Sequence, residues 1–119
     1  MPKPKVLLVE DETLIAMMME DVLDDLGWEV AGSFRDVAPT LAWLDSCEHI
    51  DCAILDINLG SENVFPVANA LRKRGTPFTF LTGYQAPLGA SKFETPVLSK
   101  PVDVKELARV LSEIGPGAA

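Results

Sequence analysis

The sequence predicts an α/β fold, a parallel sheet covered by helices on both faces. Three observations predict it. Short apolar runs alternate with longer segments of helical periodicity. The connections between them are short, as in successive βαβ units. The central run, Cys52-Ala53-Ile54-Leu55, is apolar without interruption, as in a strand buried on both faces. With 119 residues, 48% of them hydrophobic and 24% charged, the chain has the length and balance of one domain that buries a real core.

Lys5-Val6-Leu7-Leu8-Val9 is a compact strand that stops at Glu10-Asp11-Glu12. Ile15, Met18, Met19, Val22 and Leu26 then recur at helical spacing, which turns them inward and leaves Glu20, Asp21, Asp24 and Asp25 on the other side. Gly27 stands at the stop. Met17, Met18 and Met19 read as core filling rather than a soft metal site. Trp28 to Gly32 is a second strand, and Asp36 is a candidate cap for a helix carrying Val37, Leu41 and Leu44.

The central strand ends on Asp56, and Gly60-Ser61-Glu62-Asn63 turn the chain away. Pro66 is tolerable only in a first helical turn, so the third helix starts near Val64. It turns Val67, Ala68 and Leu71 to the sheet and stops at Gly75, with Arg72-Lys73-Arg74 complementing its dipole. Phe78 to Leu81 is the fourth strand and ends in Thr82-Gly83. Residues Tyr84 to Thr95 contain Pro87 and Gly89 and little periodicity, so no regular helix is predicted there. Val97-Leu98-Ser99 is the fifth strand, ending at Lys100-Pro101. Asp103 and Glu106 form a capping-box pattern ahead of Leu107, Val110, Leu111 and Ile114. Residues 115–119 read as a flexible tail.

Right-handed crossovers bring the C-terminal ends of parallel strands to one edge of the sheet, where ligands bind. That edge would gather Glu10, Asp11, Asp56, Thr82 and Lys100. Two carboxylates about 4 Å apart repel by roughly 4 kcal/mol at an effective dielectric of about 20. A cation or a retained proton must relieve that repulsion. Oxygen ligands without His or Cys suit Mg²⁺, with Mn²⁺ a second choice. An ammonium, a hydroxyl and the amide of Gly83 around one carboxylate make a site for a phosphoryl group carried on that carboxylate.

Val9-Glu10-Asp11-Glu12, Leu55-Asp56-Ile57-Asn58-Leu59, Leu81-Thr82-Gly83 and Ser99-Lys100-Pro101 together resemble the receiver domain of two-component response regulators. The resemblance covers nearly the whole chain, residues 1–119 as a single receiver domain. It implies a flavodoxin-like doubly wound sheet in the order 2-1-3-4-5, here with the fourth helix short or missing. It implies Asp56 as phosphoacceptor, supplied by a phosphohistidine on a sensor histidine kinase or histidine phosphotransfer protein. Glu10, Asp11, Asp56 and the backbone carbonyl of Asn58 would hold Mg²⁺, with Glu10 acting through a coordinated water. Lys100 would pair with a phosphoryl oxygen, and Thr82 and the Gly83 amide would contact the phosphoryl group. Asn58 and Tyr84 hold positions that tune self-dephosphorylation. Such a domain catalyses only its own phosphoryl transfer and loss, and signals to a downstream protein from the cytoplasm.

Two features depart from the family pattern. Val97 stands where a switch Tyr or Phe is usual, and the stretch before Lys100 is short and rich in Pro and Gly. With Pro77-Phe78-Thr79-Phe80-Leu81-Thr82-Gly83-Tyr84, these are similar to the FATGUY subgroup of stand-alone receivers, although Leu81 replaces Ala. A degenerate receiver that binds proteins without phosphorylation is the alternative. An aspartyl-phosphate phosphatase would need an acid where Asn58 stands. A flavin phosphate would be repelled by Glu10-Asp11-Glu12. The net charge of −8 argues against nucleic acid, and no apolar stretch approaches membrane-spanning length. Cys47 and Cys52 read as reduced thiols, and His49 as a solvated loop residue.

Overall fold

The computed structural model describes residues 3–46, 49–60, 62–83 and 88–116. Strands β1 (Lys5–Val9), β2 (Glu29–Phe34), β3 (Cys52–Asp56), β6 (Phe78–Thr82) and β7 (Val97–Ser99) form one sheet in the order β2-β1-β3-β6-β7. All pairs in it are parallel. The numbering includes two-residue strands β4 (Asn58–Leu59) and β5 (Glu62–Asn63), an antiparallel hairpin outside the sheet. Leaving the hairpin aside, the order is the expected 2-1-3-4-5.

Alternation along each strand divides the core between the two faces. Leu7, Ala53, Leu55 and Phe80 pack with α2 (Val37–Ser46) and α3 (Phe65–Arg74). Leu8, Ile54, Leu81 and Leu98 pack with α1 (Thr13–Asp25) and α4 (Val104–Ile114). Helices therefore cover both faces, and the C-terminal strand ends open together on one edge.

Two expectations for the helices are corrected. Met19 and Leu23 are the buried residues of α1, but Met18 is 66% exposed and lies on the outside with Leu14 (75%) and Met17 (56%). Residues 14–19 are all apolar, so periodicity leaves the rotation of this helix open. Packing of Met19 and Leu23, four residues apart, fixes it. The Asp36 side chain makes no capping hydrogen bond to α2 among the described residues. Val37 donates its N–H to Glu62 Oε1 at 2.9 Å, from a hairpin 25 residues downstream.

Helix α3 has Pro66 in its first turn and ends on Gly75 in the left-handed region at φ 74°, with three basic residues in its last turn. A short 3₁₀ helix, Leu88–Phe93, stands where the fourth helix was expected to be short or missing. It is tied down by Phe93, whose ring lies 5.5 Å from Phe65 and 5.6 Å from Phe80. Thr95 Oγ1 then donates to the Phe78 carbonyl and Thr79 Oγ1 to the Pro96 carbonyl. Strand β7 is bracketed by Pro96 and by Pro101, which follows Lys100 through a cis peptide.

Asp103 caps α4, its carboxylate accepting from Lys105 N at 2.8 Å and Glu106 N at 3.4 Å. Asp103→Ala is expected to lower stability by about 1 kcal/mol in a urea melt, with no change in cation binding. Gly115 is buried against Trp28 and donates to the Leu111 carbonyl, so the packed chain continues into the segment expected as tail. Residues 117–119 of that expectation lie outside the described residues, as does Cys47. Burial pushes the Cys52 thiol up to about 12, which keeps it protonated. His49 is exposed and shares a 2.8 Å contact with Asp51. No helix among the described residues is long and apolar enough to cross a membrane.

Candidate functional site

Each site residue is positioned by backbone pairing at a strand end. Glu10 follows β1 and its amide donates to the Phe34 carbonyl at 3.0 Å. Asp56 ends β3, and the next amide, Ile57 N, donates to the Leu81 carbonyl at 3.0 Å. Lys100 follows β7 with its amide on the Thr82 carbonyl at 2.9 Å. Strands β1, β3 and β7, the last reached across β6, thereby hold Glu10, Asp56 and Lys100 at one edge.

The side chains converge. Lys100 Nζ lies 2.8 Å from Glu10 Oε1 and 3.0 Å from Asp56 Oδ2. Glu10 Oε2 accepts from Glu12 N at 3.1 Å, and Asp56 Oδ1 from Asn58 N at 3.3 Å. Glu10 and Asp56 are buried, whereas Asp11 is half-buried. An open cleft of about 450 Å³ above them is lined by Asp11, Glu12, Ile15, Asp56, Asn58, Gly83, Lys100 and Pro101.

Burial, then the hydrogen bond and charge of Glu10, push the Asp56 carboxyl up from its ordinary 3.8 to about 7, against the pull of Lys100. Burial acts upward on Glu10 too, but bonds from Asp56, Lys100 and the Glu12 amide outweigh it and hold the group below its ordinary value. Lys100 is raised, because bonds to the two carboxylates outweigh its own burial. Without a bound cation, Asp56 is therefore the group in the cluster that most readily takes a proton.

The donor set fits a hard divalent cation. Glu10, Asp11 and Asp56 each offer an oxygen within 4.8 Å of the others, and the set contains neither sulfur nor imidazole. Glu10 Oε1 is buried, and its partner at 2.8 Å is the Lys100 ammonium.

Of the residues predicted from the sequence, Asp11, Asp56, Asn58, Gly83 and Lys100 line the cleft, and Glu10 reaches it through its 2.8 Å contact with Lys100. Thr82 is buried at the end of β6, beside Ser99. Val97 is 40% exposed on β7, paired with Phe80, and is not among the residues lining the cleft. Tyr84 lies outside the described residues. Sequence reasoning missed the neighbouring apolar cleft of about 210 Å³, where Ile15, Met18, Val22, Val102 and Val104 meet Lys100 and Pro101. It also missed Glu62. The only signal for the first was the surplus of apolar residues opening α1.

Known proteins share this arrangement. Residues 6–112 match the response regulator receiver domain. The chain is 26% identical over 113 residues to the phyllosphere-induced regulator PhyR of Methylorubrum extorquens, covering 92% of this chain and 42% of PhyR. It thus spans less than half the length of that relative. SdrG of Sphingomonas melonis Fr1 is 40% identical, with a TM-score of 0.81 over 96% of this chain and 98% of SdrG. The BeF3-activated conformation of SdrG superposes with a TM-score of 0.74 at 44% identity, over 91% of this chain and 92% of that one. With the sheet, the strand-end residues and the match all in agreement, the chain belongs to the response regulator receiver domain family of two-component systems.

Proposed function

We propose that this receiver accepts a phosphoryl group on Asp56 in a Mg²⁺-dependent reaction and signals through changed protein contacts. The observation that carries this reading is the placement of Asp56, buried at the cleft floor within 3.0 Å of Lys100 and among three carboxylates whose oxygens lie within 4.8 Å. An ionised Asp56 oxygen attacks phosphorus, the P–N bond of a donor phosphohistidine breaks, and the imidazole leaves with the electron pair. Glu10, Asp11, Asp56 and the Asn58 carbonyl would hold Mg²⁺, which supplies charge neutralisation at the transferring oxygens. Lys100 turns its ammonium from the Asp56 carboxylate to a phosphoryl oxygen, and the Gly83 amide and Thr82 hydroxyl donate to the others. Activation of SdrG by BeF3, whose shape resembles a phosphoryl group, supports this reading by similarity.

The test is intact mass after incubation with Mg²⁺ and a small phosphodonor, for wild type and Asp56→Asn. One added phosphoryl group, lost in the variant and in EDTA, is the expected result. No adduct from any donor together with no Mg²⁺ binding would sink it. The protein would then be a phosphorylation-independent binding module, a reading favoured by exposed Val97 at the usual position of the switch aromatic.

The phosphodonor is a protein, a histidine kinase or phosphotransfer protein in the cytoplasm. Leu14, Met17 and Met18 present an exposed apolar surface on α1, and Met18 lines the cleft that adjoins the site through Lys100 and Pro101. Apolar surface of this kind suits an amphipathic helix of the donor. Met18→Glu is expected to slow transfer from a phosphohistidine protein roughly tenfold, a loss of about 1.4 kcal/mol, while labelling by a small phosphodonor stays within about twofold. Equal slowing with both donors would place Met18 in the chemistry instead of the docking.

A further inference from the structure

The loop after Asp56 carries an arrangement that phosphoryl transfer does not itself require. Strands β4 and β5 pair Asn58 with Asn63 and Leu59 with Glu62, turning at Gly60 with φ +66°. The hairpin meets the acidic site at two places. Asn58 N donates to Asp56 Oδ1 at 3.3 Å, and a Cβ on Gly60 would lie 3.9 Å from Asp11 Oδ2. Away from the site it is pinned to the core and to the starts of two helices. Leu59 is buried in the core, Asn63 Oδ1 accepts from Phe65 N at the start of α3 at 3.0 Å, and Glu62 Oε1 accepts from Val37 N at the start of α2 at 2.9 Å.

A two-residue antiparallel ladder is marginal alone, so the tethers hold the hairpin. The opening amides of a helix lack intrahelical partners, which makes Val37 N–H a firm anchor for a carboxylate. We propose that Glu62 is a positioning residue for the cation. By fastening the hairpin to α2 it holds Asn58 and Gly60 against Asp56 and Asp11, so that cation occupancy and the first turn of α2 are coupled. The proposal rests on the reading of the Asn58 carbonyl as a ligand. Coupling of this kind is reciprocal: whatever Glu62 contributes to cation affinity, the cation returns to the Glu62–Val37 bond.

The experiment is a Mg²⁺ titration of the whole chain followed by amide NMR, for wild type, Glu62→Ala and Glu62→Gln. In wild type, the Val37 amide is expected to shift with the same midpoint as Asn58. Glu62→Ala should weaken Mg²⁺ roughly five- to tenfold and silence the response of Val37. Glu62→Gln keeps an acceptor oxygen and should restore both in large part. A plain helix cap would lower stability without moving Mg²⁺ affinity. Val37 silent in wild type while Asp11 and Asp56 respond would overturn the proposal and leave the phosphoacceptor reading intact. An Mg²⁺ midpoint for Glu62→Ala within about twofold of wild type would do the same. No Mg²⁺ response at Asp11 or Asp56 in wild type would overturn both. Should Glu62→Ala unfold α2, the wild-type coupling and the Glu62→Gln midpoint decide the matter.

Discussion

Lys100→Ala is expected to destabilise the Mg²⁺-free protein by about 3 kcal/mol, a fall in melting temperature of roughly 10 °C for a domain of this size. The ammonium pairs with two buried carboxylates at once, Glu10 at 2.8 Å and Asp56 at 3.0 Å. Its removal leaves both charges in a poor solvent. The loss belongs at the low end of the usual range for a broken buried pair, because the cleft admits water and Asp56 can take up a proton. Added Mg²⁺ should return part of the stability to the variant, since a cation would offset the same two charges. Phosphoryl transfer should not return with it, because a cation held by the carboxylates does not supply the ammonium that follows the phosphoryl oxygen. Thermal melts with and without Mg²⁺, run beside the mass assay, check both halves. A variant that melts within about 2 °C of wild type under both conditions would show that Lys100 is not what holds this cluster together.

Asp56→Asn should have the opposite sign, and its effect should depend on pH. The folded protein raises Asp56 from 3.8 to about 7, so the folded state binds a proton that the unfolded chain has released. Stability from that proton is complete below about pH 4 and is lost as pH rises through about 7. Glu10 is held below 4.5 and Lys100 is raised above 10.5, so neither titrates in this window. Mg²⁺-free wild type should therefore lose stability between about pH 5 and pH 7, whereas Asp56→Asn should stay level and become the more stable protein at the upper end. Mg²⁺ should flatten the wild-type profile, because a cation favours the ionised carboxylate. Parallel profiles for the two proteins would show that Asp56 titrates as an ordinary surface acid.

The candidate site was legible because a parallel sheet turns sequence into position. A polar residue directly after a buried apolar run must lie at the C-terminal edge, which located Glu10, Asp56 and Lys100 without tertiary information. The helices were less legible where local pattern admits more than one answer. Residues 14–19 offer an apolar face in every direction, so Met18 was turned inward when only Met19 and Leu23 are buried. Asp36 matches a local capping pattern but makes no capping bond among the described residues, and the Val37 amide goes to Glu62, 25 residues downstream. The hairpin of β4 and β5 escaped for a related reason, since two-residue strands have no periodicity to read. The 3₁₀ segment owes its place to Phe93 meeting Phe65 and Phe80, rings far away in sequence.

Strand β7 is three residues long, lies at the edge of the sheet, and has Pro96 before it and Pro101 just after Lys100. Neither proline has an amide hydrogen, so the row of donors that would template a further strand is interrupted on both sides. The sheet cannot readily be lengthened from this side by another chain, either as an added peptide strand or as a growing aggregate. A partner that reads this edge must do so through side chains such as the exposed Val97. Such contacts come apart far more easily than a shared backbone ladder, which suits the release of a partner that the proposed switching requires.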